Sequence, residues 1–129
     1  RSSTWGSASD YVETEDREVC IGVMIEKTTA VDELDEILSV PDLGFVFVGP
    51  SDLSAQMGHP TNKTHPDVQQ QVEEIVQTSL DAGVPVGRIT NDPEAAREAI
   101  EDGVQILRIG GDLSSARTVL GERLDSIRS

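Results

Sequence analysis

Residues 84–112 read VPVGRITNDPEAAREAIEDGVQILRIGGD. Val84 to Ile89 is a short apolar run rich in β-branched side chains, the pattern of a buried strand, interrupted by Pro85 near its start. Asp92-Pro93 then opens a helix. The carboxylate caps the first N–H groups, and proline is tolerated at the first helical position because its missing N–H would be unpaired there anyway. The helix runs to about Glu101 and is stopped by Gly103, since glycine enters the left-handed conformation without a Cβ penalty. Val104 to Ile109 is a second strand. Two strands joined by one helix lie parallel, with a right-handed crossover.

The same grammar extends in both directions. Glu18 to Ile25 reads as a strand and Thr29 to Leu38 (TAVDELDEIL) as a helix, with Val31, Leu34, Ile37 and Leu38 at helical spacing. Leu43 to Val48 (LGFVFV) is a further strand ended by Gly49-Pro50. His65-Pro66 opens a long helix to Ala82, with Val68, Val72, Ile75, Val76 and Leu80 on one face and Gly83 as its stop. Leu113 to Ile127 reads as a closing helix. Strands that are apolar at nearly every position predict burial on both faces, as in a parallel sheet covered by helices. The expectation is an α/β fold of four βα units in a single domain over 1–129, with no linker. Arg1 to Ser9 is small, polar and turn-like, and Asp10 to Asp16 is a short helical stretch. The longest irregular piece is Gly58 to Thr64.

Composition narrows the partners. The chain carries 24 acidic against 10 basic residues, a formal charge of −14, and its cations are eight Arg with only Lys27 and Lys63. Such a field repels nucleic acid and anionic membranes, so neither is expected as a partner. Acids spaced between regular apolar runs read as a solvated shell of the sort found in salt-adapted cytoplasmic proteins. No apolar stretch is long enough for a membrane span and no basic-then-apolar signal opens the sequence. The single cysteine, Cys20, excludes an internal disulfide framework, and its apolar neighbours predict a buried, inert thiol.

Ligands of parallel α/β folds gather at the carboxyl ends of the strands. The polar residues there are Glu26, then Ser51 and Asp52 after Gly49-Pro50, then Arg88, Thr90 and Asn91, and lastly Gly110-Gly111-Asp112. Glu26 and Asp52 end adjacent strands and together suit one hard divalent cation. Position alone also allows Glu26 to be a solvated strand end and Asp52 the N-cap of a short helix, Leu53 to Met57. His59 and His65 flank the polar loop, where surface or interface roles are expected rather than ligation. Asp112 is expected to cap its helix.

Ile25-Glu26 followed by VFVGPSDLSAQMGHP (Val46 to Pro60) resembles the HpcH/HpaI aldolase family of metal-dependent pyruvate aldolases. The likeness continues through HPDVQ (His65 to Gln69), Gly83 and the IGGD after the last strand, and reaches back to Trp5-Gly6. It implies a (β/α)8 TIM barrel of which this sequence is about the last four βα units. The family separates its metal-binding Glu and Asp by 26 residues, the interval between Glu26 and Asp52. The resemblance therefore implies Mg2+ or Mn2+, possible substitution by Co2+, at those two residues, with Gly49, Pro50, Ser51 and Ile89 lining the substrate site. Arg88 falls where the family usually carries an aliphatic residue, and a structural role or one in tuning aldehyde preference is expected of it rather than a catalytic one. The substrate-gripping Arg and the proton-transfer His of the family lie in the other half of the barrel, so no catalytic residue is assigned in this one.

The implied reaction is reversible cleavage of a 4-hydroxy-2-oxo acid to pyruvate and an aldehyde. The metal binds the 2-oxo acid and stabilises the enolate, while backbone N–H groups near Ser51 and Asp52 hold the substrate carboxylate. The family habit further implies a homo-oligomer, a hexamer. A Schiff-base route needs an amine in the pocket, and Lys27, by strand alternation, points away from the side that Glu26 faces. A non-catalytic acidic signalling module needs a lysine after its last strand, and no lysine follows Lys63. A further reading keeps the ancestry and makes this half inactive by itself.

Overall fold

The computed structural model describes residues 19–128. The expected turn at Arg1–Ser9, the stretch Asp10–Asp16, Glu18 and Trp5 lie outside the described residues. Four strands, β1 (Ile21–Ile25), β2 (Leu43–Val48), β3 (Val86–Ile89) and β4 (Ile106–Arg108), form one sheet in sequence order. All three pairings are parallel, with Ile25 beside Val48, Val46 beside Val86 and Ile89 beside Arg108. Helices α1 (Thr28–Asp32) and α2 (Leu34–Leu38) join β1 to β2, and α3 (Pro50–Gln56) and α4 (Pro66–Asp81) join β2 to β3. Helix α5 (Pro93–Glu101) joins β3 to β4, and α6 (Asp112–Arg128) follows β4.

Helix ends follow the signals in the sequence. Asp92 Oδ2 accepts from Ala95 N–H at 2.9 Å, and His65 Nδ1 accepts from Asp67 N–H at 3.3 Å. Gly83 and Gly103 take φ of 74° and 94°, the left-handed region that ends α4 and α5. The run Thr29–Leu38 is two short helices rather than one, broken at Glu33 with φ −102° and ψ 16°. Asp32, Glu33, Asp35 and Glu36 crowd like charges around the break, and no basic residue sits in the last turn of α1.

The strands are shorter than the apolar runs. Pro85 has no N–H for the ladder, so β3 begins at Val86, although the Pro85 carbonyl still accepts from Val46 N–H at 2.9 Å. Gln105 then substitutes a side chain for a strand bond, its Oε1 accepting from Val86 N–H at 3.0 Å, and β4 starts one residue later. β1 starts at Ile21, and its register with β2 shifts between Ile21 and Gly22. Cys20 precedes it and is exposed, which corrects the expectation of a buried thiol: the run VCIGVMI opens on an edge strand where its first residues gain no cover.

The core lies on one side of the sheet. Ile25, Val46, Val48 and Val86 pack against Leu34 and Leu38 of α2, Leu53 of α3, Val68, Val72, Ile75 and Val76 of α4 and Ala99 of α5. The opposite face carries Met24, 53% exposed, and Phe45 and Phe47, whose rings lie over Gly22 and Gly87 where no Cβ would fit. Burial on both faces is therefore not realised. Four βα units provide a single helical layer, and the second face of such a sheet is buried only when a barrel closes around it. Helix α6 forms as expected but closes nothing: it has no buried residue, and Leu113, Leu120 and Ile127 are exposed.

Leu53, fully buried, is the anchor that seats α3 on the core. Leu53→Ala is expected to lower unfolding free energy by about 3 kcal/mol in urea titration, through lost burial and a cavity. Val40→Ala, at a side chain 54% exposed, should change it by less than about 0.5 kcal/mol.

Candidate active site

Strand alternation decides which residues meet. Ile25 and Val48 point into the core, so Glu26 and Gly49, which follow them, face the other side of the sheet. Gly49 N–H donates to Ile25 O at 2.9 Å, which holds the two strand ends together. A methyl group on Gly49 would stand 2.8 Å from Glu26 Cβ and 3.3 Å from Glu26 Oε2. Glycine here leaves the space in which the Glu26 carboxylate lies.

Helix α3 starts directly after Gly49, which is its N-cap residue, with Pro50 at the first position. Asp52 sits in the first turn and makes no capping bond, so the alternative reading of Asp52 as an N-cap is corrected. The helix begins earlier than Leu53 because Pro50 and the free backbone after Gly49 already take helical form. Asp52 and Ser51 are exposed and Glu26 is half-buried. Among the described residues neither Glu26 nor Asp52 has a hydrogen-bond or ion-pair partner for its carboxylate. Two unpartnered carboxylates after adjacent strands, one of them in the space Gly49 leaves, are a donor set that fits a hard divalent cation. The turn is braced from the far end of α3, where Gln56 Oε1 accepts from Thr28 N–H at 3.4 Å.

Alternation also sorts the other candidates. Lys27, exposed at the N-cap of α1, has extended backbone and projects to the side opposite Glu26. Ile89 lies on the Glu26 side, since Val86 and Gly87 fix the parity of β3. Arg88 does not. It shares the helix side with buried Val86 and lines a cavity of about 540 Å3 with Gln69 and Glu73 of α4 and Ala95 and Glu98 of α5, a cavity that Ile89 also borders at the strand end. Strand parity thus sets Arg88 apart from the Glu26 row, which favours the structural of its two expected roles. Sequence reasoning missed Arg108 instead. Leu107 packs on the core, so Arg108 faces the Glu26 side, beside Ile89 on the neighbouring strand. Its guanidinium Nη2 would lie 3.0 Å from a methyl group on Gly111, so the glycine there gives it room. Counting alternate positions back from Leu107 would have found it. Glu26, Gly49, Ile89 and Arg108 thus form one row across the strand ends.

The start of α6 is satisfied locally: Asp112 Oδ1 accepts from Leu113 N–H at 2.8 Å and Ser114 Oγ donates to Gly111 O at 2.9 Å. His59 and His65, expected at the surface, are half-buried and stacked on one another, with ring centroids 3.5 Å apart.

A sequence profile of the HpcH/HpaI aldolase/citrate lyase family matches residues 3–118. A 2-keto-3-deoxy-L-rhamnonate aldolase of Escherichia coli O1:K1 is 34% identical over the whole of this chain and 48% of its own length. The protein of that name from Klebsiella pneumoniae is 33% identical with the same coverage. Among solved structures, an HpcH/HpaI aldolase/citrate lyase family protein from Burkholderia cenocepacia superposes with a TM-score of 0.87 at 32% identity, over 98% of this chain and 49% of that one. The chain spans about half the length of the relatives it matches. With its four parallel βα units in sequence order, the chain belongs to the HpcH/HpaI aldolase/citrate lyase family and represents half of a (β/α)8 barrel.

Proposed function

We propose that the complete protein is a divalent-metal-dependent aldolase that reversibly cleaves a 4-hydroxy-2-oxo acid to pyruvate and an aldehyde. The observation that carries this reading is the pair of unpartnered carboxylates that follow adjacent strands, Glu26 directly after β1 and beside Gly49, and Asp52 in the first turn of α3 after β2. Glu26 and Asp52 would hold Mg2+, Mn2+ or Co2+, and the ion, when bound, would supply Lewis-acid polarisation of the 2-oxo group.

The remaining roles fall to this chain's own groups. Backbone bonding in α3 begins with Leu53 N–H to Gly49 O at 3.2 Å, which leaves the N–H groups of Ser51 and Asp52 as donors for the substrate carboxylate. Pro50 contributes no donor and fixes the turn that presents them. Ile89 is the apolar wall for the aldehyde end. Turnover needs the substrate-gripping Arg and the proton-transfer His that the family places in the other half-barrel, so the isolated chain is expected to hold metal without turnover. The bare inner sheet face and the unpaired outer edges of β1 and β4 support assembly into a closed barrel, and a cytoplasmic homo-oligomer is the form proposed for the whole enzyme.

In the complete enzyme, Glu26→Gln and Asp52→Asn should each abolish tight Mn2+ uptake in equilibrium dialysis and lower kcat/KM at least about 1000-fold, the scale of losing electrostatic stabilisation of a developing oxyanion. Full turnover in the presence of EDTA, or in either variant, would overturn the assignment.

The facing of β3 generates a second test. Ile89→Ala should reorder the relative kcat/KM values for a series of aldehydes in the condensation direction by about tenfold, the worth of one or two methylenes in an apolar pocket. Arg88→Leu, on the helix side, should leave that order unchanged. A reordering by Arg88→Leu alone would place the substrate on the other side of the sheet.

A further inference from the structure

Between α3 and α4 the chain brings together two imidazoles and a carboxylate that the aldolase reading does not use. His59 Nε2 lies 3.6 Å from Asp67 Oδ2, and His65 Nδ1 lies 3.7 Å from that same oxygen. One ligand atom from each of the three residues falls within 4.8 Å of the others. We propose that His59, His65 and Asp67 form a second metal site, selective for a borderline ion such as Zn2+, separate from the oxygen-only pair Glu26 and Asp52.

Geometry supports the set. Ligand atoms bound to four-coordinate zinc at 2.0–2.1 Å are roughly 3.3 Å from one another, so the two contacts to Asp67 already stand within about 0.4 Å of the spacing required. The one adjustment is in the stack: rings inclined by only 13° cannot both aim a lone pair at one ion. One ring has to turn about its Cβ–Cγ bond. Side chains 28% and 31% exposed have the room to do so. His65 can ligate through Nε2 and keep its Nδ1 bond to Asp67 N–H, or through Nδ1 and give up that 3.3 Å bond. Water completes the coordination on the open side.

The backbone holds the ligands in place beforehand. His59 N–H donates to Ser54 O at 2.8 Å, Asn62 N–H to His59 O at 3.0 Å, and His65 N–H to Asn62 O at 3.1 Å. Gln69 Nε2 reaches back from α4 to Lys63 O at 2.6 Å. The loop Gly58–Thr64 is thus a closed turn with a histidine at each end rather than an open strap. The positive end of the α4 dipole opposes a cation, and Asp67 in the first turn offsets it. Two nitrogens and one oxygen favour zinc, cobalt or nickel over magnesium or calcium, so the two sites should sort different ions. Ligation from residues 59, 65 and 67 would fasten the loop to α4.

The test uses Zn2+ itself, with the full-length protein carrying Glu26→Gln and Asp52→Asn so that the oxygen site is silent. Equilibrium dialysis in excess Mg2+ should show about one Zn2+ retained per chain. Adding His59→Gln and His65→Gln should weaken that binding at least about tenfold, as should Asp67→Asn, which keeps both imidazoles and guards against a folding defect in the double histidine variant. No Zn2+ uptake by the parent, or uptake unchanged from the parent after either Asp67→Asn or the double histidine change, would overturn the site.

Discussion

Every facing in this sheet depends on the burial of two valines. Val46 and Val48, with 0% and 1% of their surface exposed, point from β2 into the helical layer. Because side chains alternate along a strand, that burial turns Phe45, Phe47 and Gly49 to the other side. Parallel pairing in register then transmits the parity to β1, β3 and β4, placing Glu26, Ile89 and Arg108 in one row with Gly49. A slip of one residue in β2 would bury the phenylalanines among the helices and turn Gly49 away from Glu26, so the site and the core are specified by one register.

Much of this fold is legible in the amino-acid order because the punctuation is local. Asp92-Pro93, His65-Pro66, Gly83 and Gly103 mark helix ends by the backbone chemistry of single residues, and the structure places the ends there. What the sequence blurred was extent. Val19, Cys20 and Val104 are as apolar as their neighbours, but a ladder needs a partner strand and they lie outside the paired register. Likewise the spacing of Val31, Leu34 and Ile37 suits one helix, while the local charge repulsion that divides it at Glu33 is invisible to apolar periodicity.

The site was legible in a different way. Glu26, Asp52 and the short turn after Gly49 stand out through family likeness and through their place at strand ends, and the profile match over residues 3–118 bears out the family. Between the two roles open to Arg88 the sequence could not choose, because the charge near a strand end is conspicuous whereas the side it faces depends on Val86 two residues earlier. Arg108 went unnoticed because its parity is set by Leu107, a residue with no chemistry of its own. His59 and His65 are six residues apart across a loop, and only its hydrogen bonds bring the rings together.

The order of strands has a kinetic meaning. Each strand pairs with its successor, and the widest separation closed by a pairing is from Val46 to Val86. Loop-closure entropy rises only with the logarithm of length, so each addition to this sheet faces a barrier of similar height. Helices α2 and α4 bring their apolar faces to the growing sheet within the same local segment that forms each pair. A chain of this topology can assemble in the order of its synthesis, one βα unit laid on the last, with nucleation possible at β1 and β2 before α5 exists. Among the described residues the outer edges of β1 and β4 carry no strand partner, so whatever pairs with them joins the sheet outside this stepwise order.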